Sequence, residues 1–161
     1  MTQTQAYSIA GAVFVLDRFT KWLIESRFSL YESIPVIPGF FNLIYARNPG
    51  ASFSLFAEST HPWRTGLLIA IAVAAAIVIT SMLRKVSTLD RPSALGLALI
   101  LGGALGNVFD RAAYGAVTDF LEFYHQDLAW PAFNVADSAI VCGAGLLLLG
   151  MWHGKREPAK T

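Results

Sequence analysis

The sequence is short of charge. Only 14% of its 161 residues are Asp, Glu, Lys or Arg, against about 25% in soluble domains. With 55% apolar residues beside them, there is too little charge to cover a water-facing surface, and a membrane is the expected solvent. Cysteine is nearly absent as well: the single Cys142 excludes an internal disulfide. With only His61, His125 and His153 scattered along the rest, no four-ligand Cys/His metal site is expected. Long basic runs are missing and the net charge is +1, which leaves no electrostatic footprint for nucleic acid. There is no His-Glu-x-x-His metal signature and no Gly-x-Ser-x-Gly elbow. A Ser-Lys nucleophile would have to recruit Lys21 or a lysine of the basic connections. The length fits one domain on a prior of roughly 100–200 residues each.

What is present is apolar runs of membrane length. A hydrocarbon core about 30 Å thick takes about 20 helical residues, and four stretches approach that, at about 7–24, 66–83, 94–109 and 132–152. The second carries no charge; the first is interrupted by Asp17, Arg18 and Lys21, and the fourth contains Asn134 and Asp137 near its start. Lys and Arg in short loops mark the cytoplasmic side. Arg84, Lys85 and Arg91 follow span two, and Lys155, Arg156 and Lys160 follow span four, whereas forty residues from Glu25 to Arg64 hold only Arg27, Arg47 and Arg64. Both termini are therefore expected in the cytoplasm, with 25–65 and 110–131 facing outward. MTQTQAY lacks a basic n-region, so no removed signal peptide is expected. The runs 33–37, 40–45 and 52–56, separated by Pro38-Gly39 and Asn48-Pro49-Gly50, read as short strands with turns. The expected fold is a single polytopic domain over 1–161, an all-α membrane protein of four transmembrane helices with a small extracytoplasmic β-structure between helices 1 and 2. Trp63, Trp130 and Trp152 are expected at membrane interfaces and Cys142 in the core.

Ionisable groups within spans are costly and mark functional candidates. Asp17 and Lys21 share a helix face and can pair; the plainer reading is a structural pair. Gly102 and Gly106 form a small-xxx-small face that lets a helix approach closely. Asn107, Asp110 and Arg111 share a face at the outer end of span three, where Asp110 and Arg111 can pair or bind backbone leaving the helix. Asp119 lies in VTDFLEF and Asp137 in FNVADSAI, neither with a cation beside it in sequence. If the two meet, like charges held close raise one pKa and titrate as a unit. The ionised member can then take a proton from water while the protonated one polarises a peptide carbonyl and later protonates the leaving nitrogen. The alternative is that Asp119 caps a helix and Asp137 faces a hydrogen-bonded interior. Sequence spacing leaves both open. Two other classes stand beside a peptidase: a small ion- or proton-coupled transporter, disfavoured because both acids sit at one boundary rather than mid-membrane, and a structural subunit whose polar residues join helices.

Taken together, the motifs resemble the lipoprotein signal peptidase (signal peptidase II) family, the bacterial inner-membrane aspartyl peptidases. The resemblance runs through Asp17-Arg18-Phe19-Thr20-Lys21, Asn48-Pro49-Gly50-Ala51, Gly102-Gly103-Ala104-Leu105-Gly106-Asn107 with Asp110-Arg111, Gly115-x-Val117-x-Asp119-Phe120, and Phe133-Asn134-x-Ala136-Asp137-x-x-Ile140. It implies a catalytic dyad of Asp119 and Asp137 acting near the periplasmic face and a diacylglyceryl-modified prolipoprotein substrate cut just before its lipidated cysteine. Asn48, Gly50, Asn107, Arg111 and Asn134 would support the site and bind substrate, while Asp17, Lys21 and Asp110 would be structural. The resemblance further implies a β-cradle, no metal or organic cofactor, no nucleic acid, membrane lipids as surroundings and a monomer. Arg18 stands where the family commonly has Gln, and Ser52 where Ala is frequent.

Overall fold

The computed structural model describes residues 1–50, 63–126 and 128–154. Four long helices carry the chain: α1 (Gln3–Arg27), α2 (Trp63–Leu83), α3 (Arg91–Tyr114) and α4 (Val135–Gly154). Local chemistry fixes their ends. Thr2 and Gln5 form a reciprocal capping box at the start of α1. Asp90 caps α3 through the Ser93 N–H, Pro92 occupies its first turn, and Gly115 ends it in the left-handed region at φ 74°.

Helix α3 is the hub, packed against each of the other three. Its glycines allow this because a side chain at their positions would strike neighbouring backbone. A Cβ on Gly102 would fall 2.5 Å from the Ala10 carbonyl oxygen, and Gly96 and Gly143 meet so closely that a Cβ on either would fall within 2.6 Å of the other's carbonyl oxygen. The interior divides along the bundle. At the end where α1 and α3 begin, it is apolar, built from Ala6, Ala10, Leu83, Val86, Ala94, Leu97 and Leu101. At the end where α3 finishes and α4 starts, it is polar: Asp17, Lys21, Asn107, Asp110 and Asn134 are all buried.

The helix faces turned away from this interior are apolar too, as at Ile71, Ile77, Val78, Val141 and Leu148, the pattern of a surface solvated by lipid. By length and composition α2, α3 and residues Val135–Trp152 of α4 can cross a membrane. The 25-residue α1 is long enough but carries too many polar residues to qualify on composition. Trp63, Trp130 and Trp152 are all exposed. Cys142 is exposed as well, which corrects the expectation of a core cysteine: α4 is apolar all round, so sequence alone does not separate its packed face from its outer one.

A four-stranded antiparallel sheet lies at the polar end, in the order β1 (Ser33–Ile37), β2 (Phe41–Asn48), β3 (Val117–His125) and β4 (Leu128–Ala129). The first two strands and their turn at Pro38-Gly39, where Gly39 has φ 80°, follow the sequence reading. Confining the sheet to the connection between helices 1 and 2 does not hold: half of it comes from the connection between α3 and α4, paired across the chain as Asn42 with Glu122 and Ala46 with Asp119. The expected strand at 52–56, Ser52 and the basic residues after 154 lie outside the described residues. Span three was expected to stop at 109, but α3 continues through Asp110 and Arg111 to Tyr114, because partners on α1 and β3 satisfy Asp110 inside the fold.

Candidate active site

Strand β3 delivers Asp119 and the first turn of α4 delivers Asp137. The reading of Asp119 as a helix cap is thereby excluded. Instead, pairing of β2 with β3 sets Asn48 opposite Val117, two residues from Asp119, and the Asn48 Nδ2 donates to Asp119 Oδ2 at 2.9 Å. The other end of that amide is spoken for: its Oδ1 accepts from the Gly50 N–H at 2.9 Å, which fixes which atom faces the acid. Gly50 has φ 117°, and a Cβ there would also fall 2.6 Å from Leu68 Cδ1, so this turn admits only glycine without displacement.

Asn134 joins the two acids. Its Nδ2 donates to Asp119 Oδ1 at 2.7 Å, its backbone N–H donates to Asp137 Oδ2 at 3.3 Å, and its Oδ1 accepts from the Asp137 N–H at 2.9 Å. The last two bonds are a reciprocal helix cap, so the device that starts α4 also places Asp137 beside Asp119. The fourth carboxylate oxygen, Asp137 Oδ1, accepts from Asn107 Nδ2 at 2.8 Å. Asn107 can present only its amide nitrogen there, because Lys21 Nζ, a pure donor, holds its Oδ1 at 3.2 Å.

Behind Asn107 lies a buried charge cluster. Lys21 Nζ is 2.8 Å from both Asp17 Oδ2 and Asp110 Oδ2, and Asp110 also pairs with Arg18. Two cations thus meet two anions, without which these groups could not be buried. The cluster reaches the segments that carry both acids. Asp17 Oδ1 accepts from the Ala136 N–H at 2.9 Å, beside Asp137, and Asp110 Oδ2 accepts from the Thr118 N–H at 3.4 Å, beside Asp119. Arg111 Nη1 donates to the Asn107 carbonyl at 3.4 Å, while its buried Nε has no hydrogen-bond partner. Among the described residues no group of three or more His, Cys, Asp or Glu could hold a metal.

Burial sets Asp119 apart from an ordinary carboxylate. Burial pushes the Asp119 carboxyl from the usual 3.8 up to about 6. The Asn48 hydrogen bond opposes that rise, the charge of Asp137 adds to it, and Asn134 and Lys21 oppose it. Asp137, its neighbour, lies in the first turn of α4. An acid biased toward its proton and joined through Asn134 to a second carboxyl suits a water-activating pair.

Every residue singled out from sequence is found here: Asp119, Asp137, Asn48, Gly50, Asn107, Arg111 and Asn134 about the acids, and Asp17, Lys21 and Asp110 behind them. Two contributors were missed. Arg18 stood out only as a departure from a pattern, yet it pairs with Asp110 and stacks 4.8 Å from the centre of the Phe109 ring. Thr118, whose hydroxyl is 2.6 Å from Glu25 Oε1, carried no sequence signal, since threonine on a strand is unexceptional.

Comparison with known proteins agrees along nearly the whole chain. A family model described as signal peptidase (SPase) II matches residues 9–153. The lipoprotein signal peptidase of Solibacter usitatus is 52% identical over 157 residues, covering 98% of this chain and 96% of that protein. Its counterpart in Geobacter metallireducens is 44% identical, covering 96% and 94%. A solved bacterial membrane enzyme superposes with a TM-score of 0.85 at 26% identity, covering 98% of this chain and 93% of that one.

Proposed function

The chain belongs to the signal peptidase II family, and from that premise we propose that it is an aspartic endopeptidase removing the signal peptide from diacylglyceryl-modified prolipoproteins just before the lipidated cysteine. The observation that carries the mechanism is Asn134 hydrogen-bonded to both Asp119 and Asp137, which makes the acids one unit. In this reading Asp137 is the base and takes a proton from water as the water oxygen bonds to the scissile carbonyl carbon. Asp119 first hydrogen-bonds the carbonyl oxygen and then gives its proton to the leaving nitrogen as the C–N bond breaks. The Arg111 Nε–H, buried and without an acceptor in the described structure, donates to the developing oxyanion. Asn107 and Asn134 hold the carboxylates in register, and the Asn48–Gly50 turn positions peptide against Asp119.

The placement of the site supports a lipid-borne substrate. Acyl chains and a hydrophobic signal helix confine the substrate to the bilayer, so peptide bonds reach the enzyme at the membrane boundary, where water is available. Helix ends and sheet bring the acids together at one end of the bundle, which this reading assigns to that boundary. Helix α1 serves as the fourth span: 25 residues rise about 37 Å, its Asp17 and Lys21 are buried, and it turns Val15, Leu16, Phe19 and Trp22 outward. With Arg84, Lys85 and Arg91 at the opposite end from the acids, the positive-inside rule puts both termini in the cytoplasm and the acids near the periplasmic face of the inner membrane. The proposed chemistry needs one copy, because Asp119, Asp137 and the asparagines that hold them lie on a single chain.

The test uses detergent-purified protein, which removes compartments and hence any transport. Given a precursor carrying the diacylglyceryl cysteine and its unlipidated counterpart, mass spectrometry should find cleavage of the first only, with the lipidated cysteine as the new N-terminus. Cleavage elsewhere, or equal cleavage of both, contradicts the proposed substrate.

A further inference from the structure

A groove of about 690 Å³ opens between α1, α2 and α3 toward the lipid side, away from the acids. Its walls are apolar along Val73, Ile77, Leu101 and Leu105, and one end is polar, bounded by Tyr7 and Arg84. That end is fixed by two bonds across the helices: the Tyr7 hydroxyl donates to the Thr80 carbonyl and the Gln3 side chain donates to the Arg84 carbonyl. Arg84 and the adjacent Lys85 are exposed, and neither has a carboxylate partner among the described residues. From Val73 to Arg84 is about 16 Å of helix, close to half the hydrocarbon thickness of about 30 Å. Along α2 the groove is therefore about one leaflet deep, and it reaches as far as Val108 on α3; it is apolar inside and cationic at its mouth.

We infer that this groove holds an acyl chain of an anionic phospholipid, whose headgroup phosphate binds Arg84 and Lys85 in the leaflet opposite the acids. Basic pockets between spanning helices suit anionic headgroups, and the depth matches a single chain rather than a helix crossing the bilayer. A signal-peptide helix lying there would bring its own basic n-region to the same end, against Arg84 and Lys85, so charge favours lipid over substrate. Among the described residues α2 packs chiefly on α3, and this bound lipid would add to the two hydrogen bonds that join its end to α1.

The experiment adds phosphatidylglycerol or phosphatidylcholine of equal chain length to the detergent-purified protein and follows thermal unfolding. At roughly 100 times its Kd, phosphatidylglycerol should raise the midpoint by about 5 °C or more, with phosphatidylcholine giving a smaller rise. The Arg84→Gln/Lys85→Gln variant should lose that difference, and Ala76→Trp, which fills the groove and leaves the basic pair intact, should lose the rise itself. Equal shifts from both lipids, or an unchanged preference in the Gln variant, overturn the proposal. So does an Ala76→Trp protein that keeps the lipid shift but shows a raised KM for the lipidated precursor, which assigns the groove to substrate. None of these readings depends on the catalytic assignment, whose failure would appear in cleavage alone.

Discussion

Replacing Asp119 by Asn should flatten the pH dependence of stability in the acid range. With its carboxyl raised from 3.8 to about 6, ionising Asp119 costs about 3 kcal/mol more in the folded protein than in the unfolded chain. The sign follows from proton binding: between pH 3.8 and about 6 the folded state holds the proton and the unfolded state has lost it. Stability therefore falls as pH rises through that window and levels off above it. At about 2–4 °C for each kcal/mol in a chain of this size, the wild-type midpoint should drop by roughly 5–10 °C from this group between pH 4 and 7. Asp119→Asn carries no ionisable group there, and its curve should be flatter by that amount. Thermal unfolding of both proteins in the same detergent across the pH range measures the difference. Every other group is common to the two proteins, so subtraction isolates Asp119 and its coupling to its neighbours. Parallel curves would refute the claim that burial, and not merely location, sets this acid apart.

Further outcomes follow from the same geometry. The kcat/KM for cleavage should fall above about pH 6, where the free enzyme loses the Asp119 proton; the kcat limb should lie higher, because bound substrate excludes more water. Asn48→Ala removes a charge-assisted hydrogen bond and should move that kcat/KM limb upward by about one pH unit, with a loss of turnover; an unmoved limb and intact turnover would remove the turn from the mechanism. Arg111→Lys keeps the charge but loses the Nε donor, so kcat should fall by about 100-fold with little change in unfolding temperature. Gly106→Ala would set a Cβ 2.5 Å from Asp17 Oδ2 and should cost about 1–3 kcal/mol of stability by overpacking, read as a lower unfolding midpoint.

Sequence made the apolar helices legible because lipid imposes a length and a composition that short-range inspection detects, as at 66–83 against the observed Trp63–Leu83. It also located the two acids, since charge without a cation nearby is conspicuous in an apolar chain. The end of span three was misjudged for a related reason. Asp110 and Arg111 look like the close of a helix when read alone, and only Arg18 and Lys21, nearly ninety residues away, make it possible for Asp110 to stay inside. Strand β3 escaped because its partners are equally remote: Val117–Phe120 is buried on both faces, so it lacks the alternation that betrays a surface strand. Asn134, read as part of span four, is its cap, and that shift is what turns a membrane residue into the hinge between the two acids.

The measurement that bears most directly on the account is cleavage of a diacylglyceryl-modified precursor by purified wild type, Asp119→Asn and Asp137→Asn, with thermal unfolding of each. The account predicts folded variants that bind the precursor and both fail to cleave it. Cleavage retained by either folded variant would contradict the dyad and remove that residue from the chemistry.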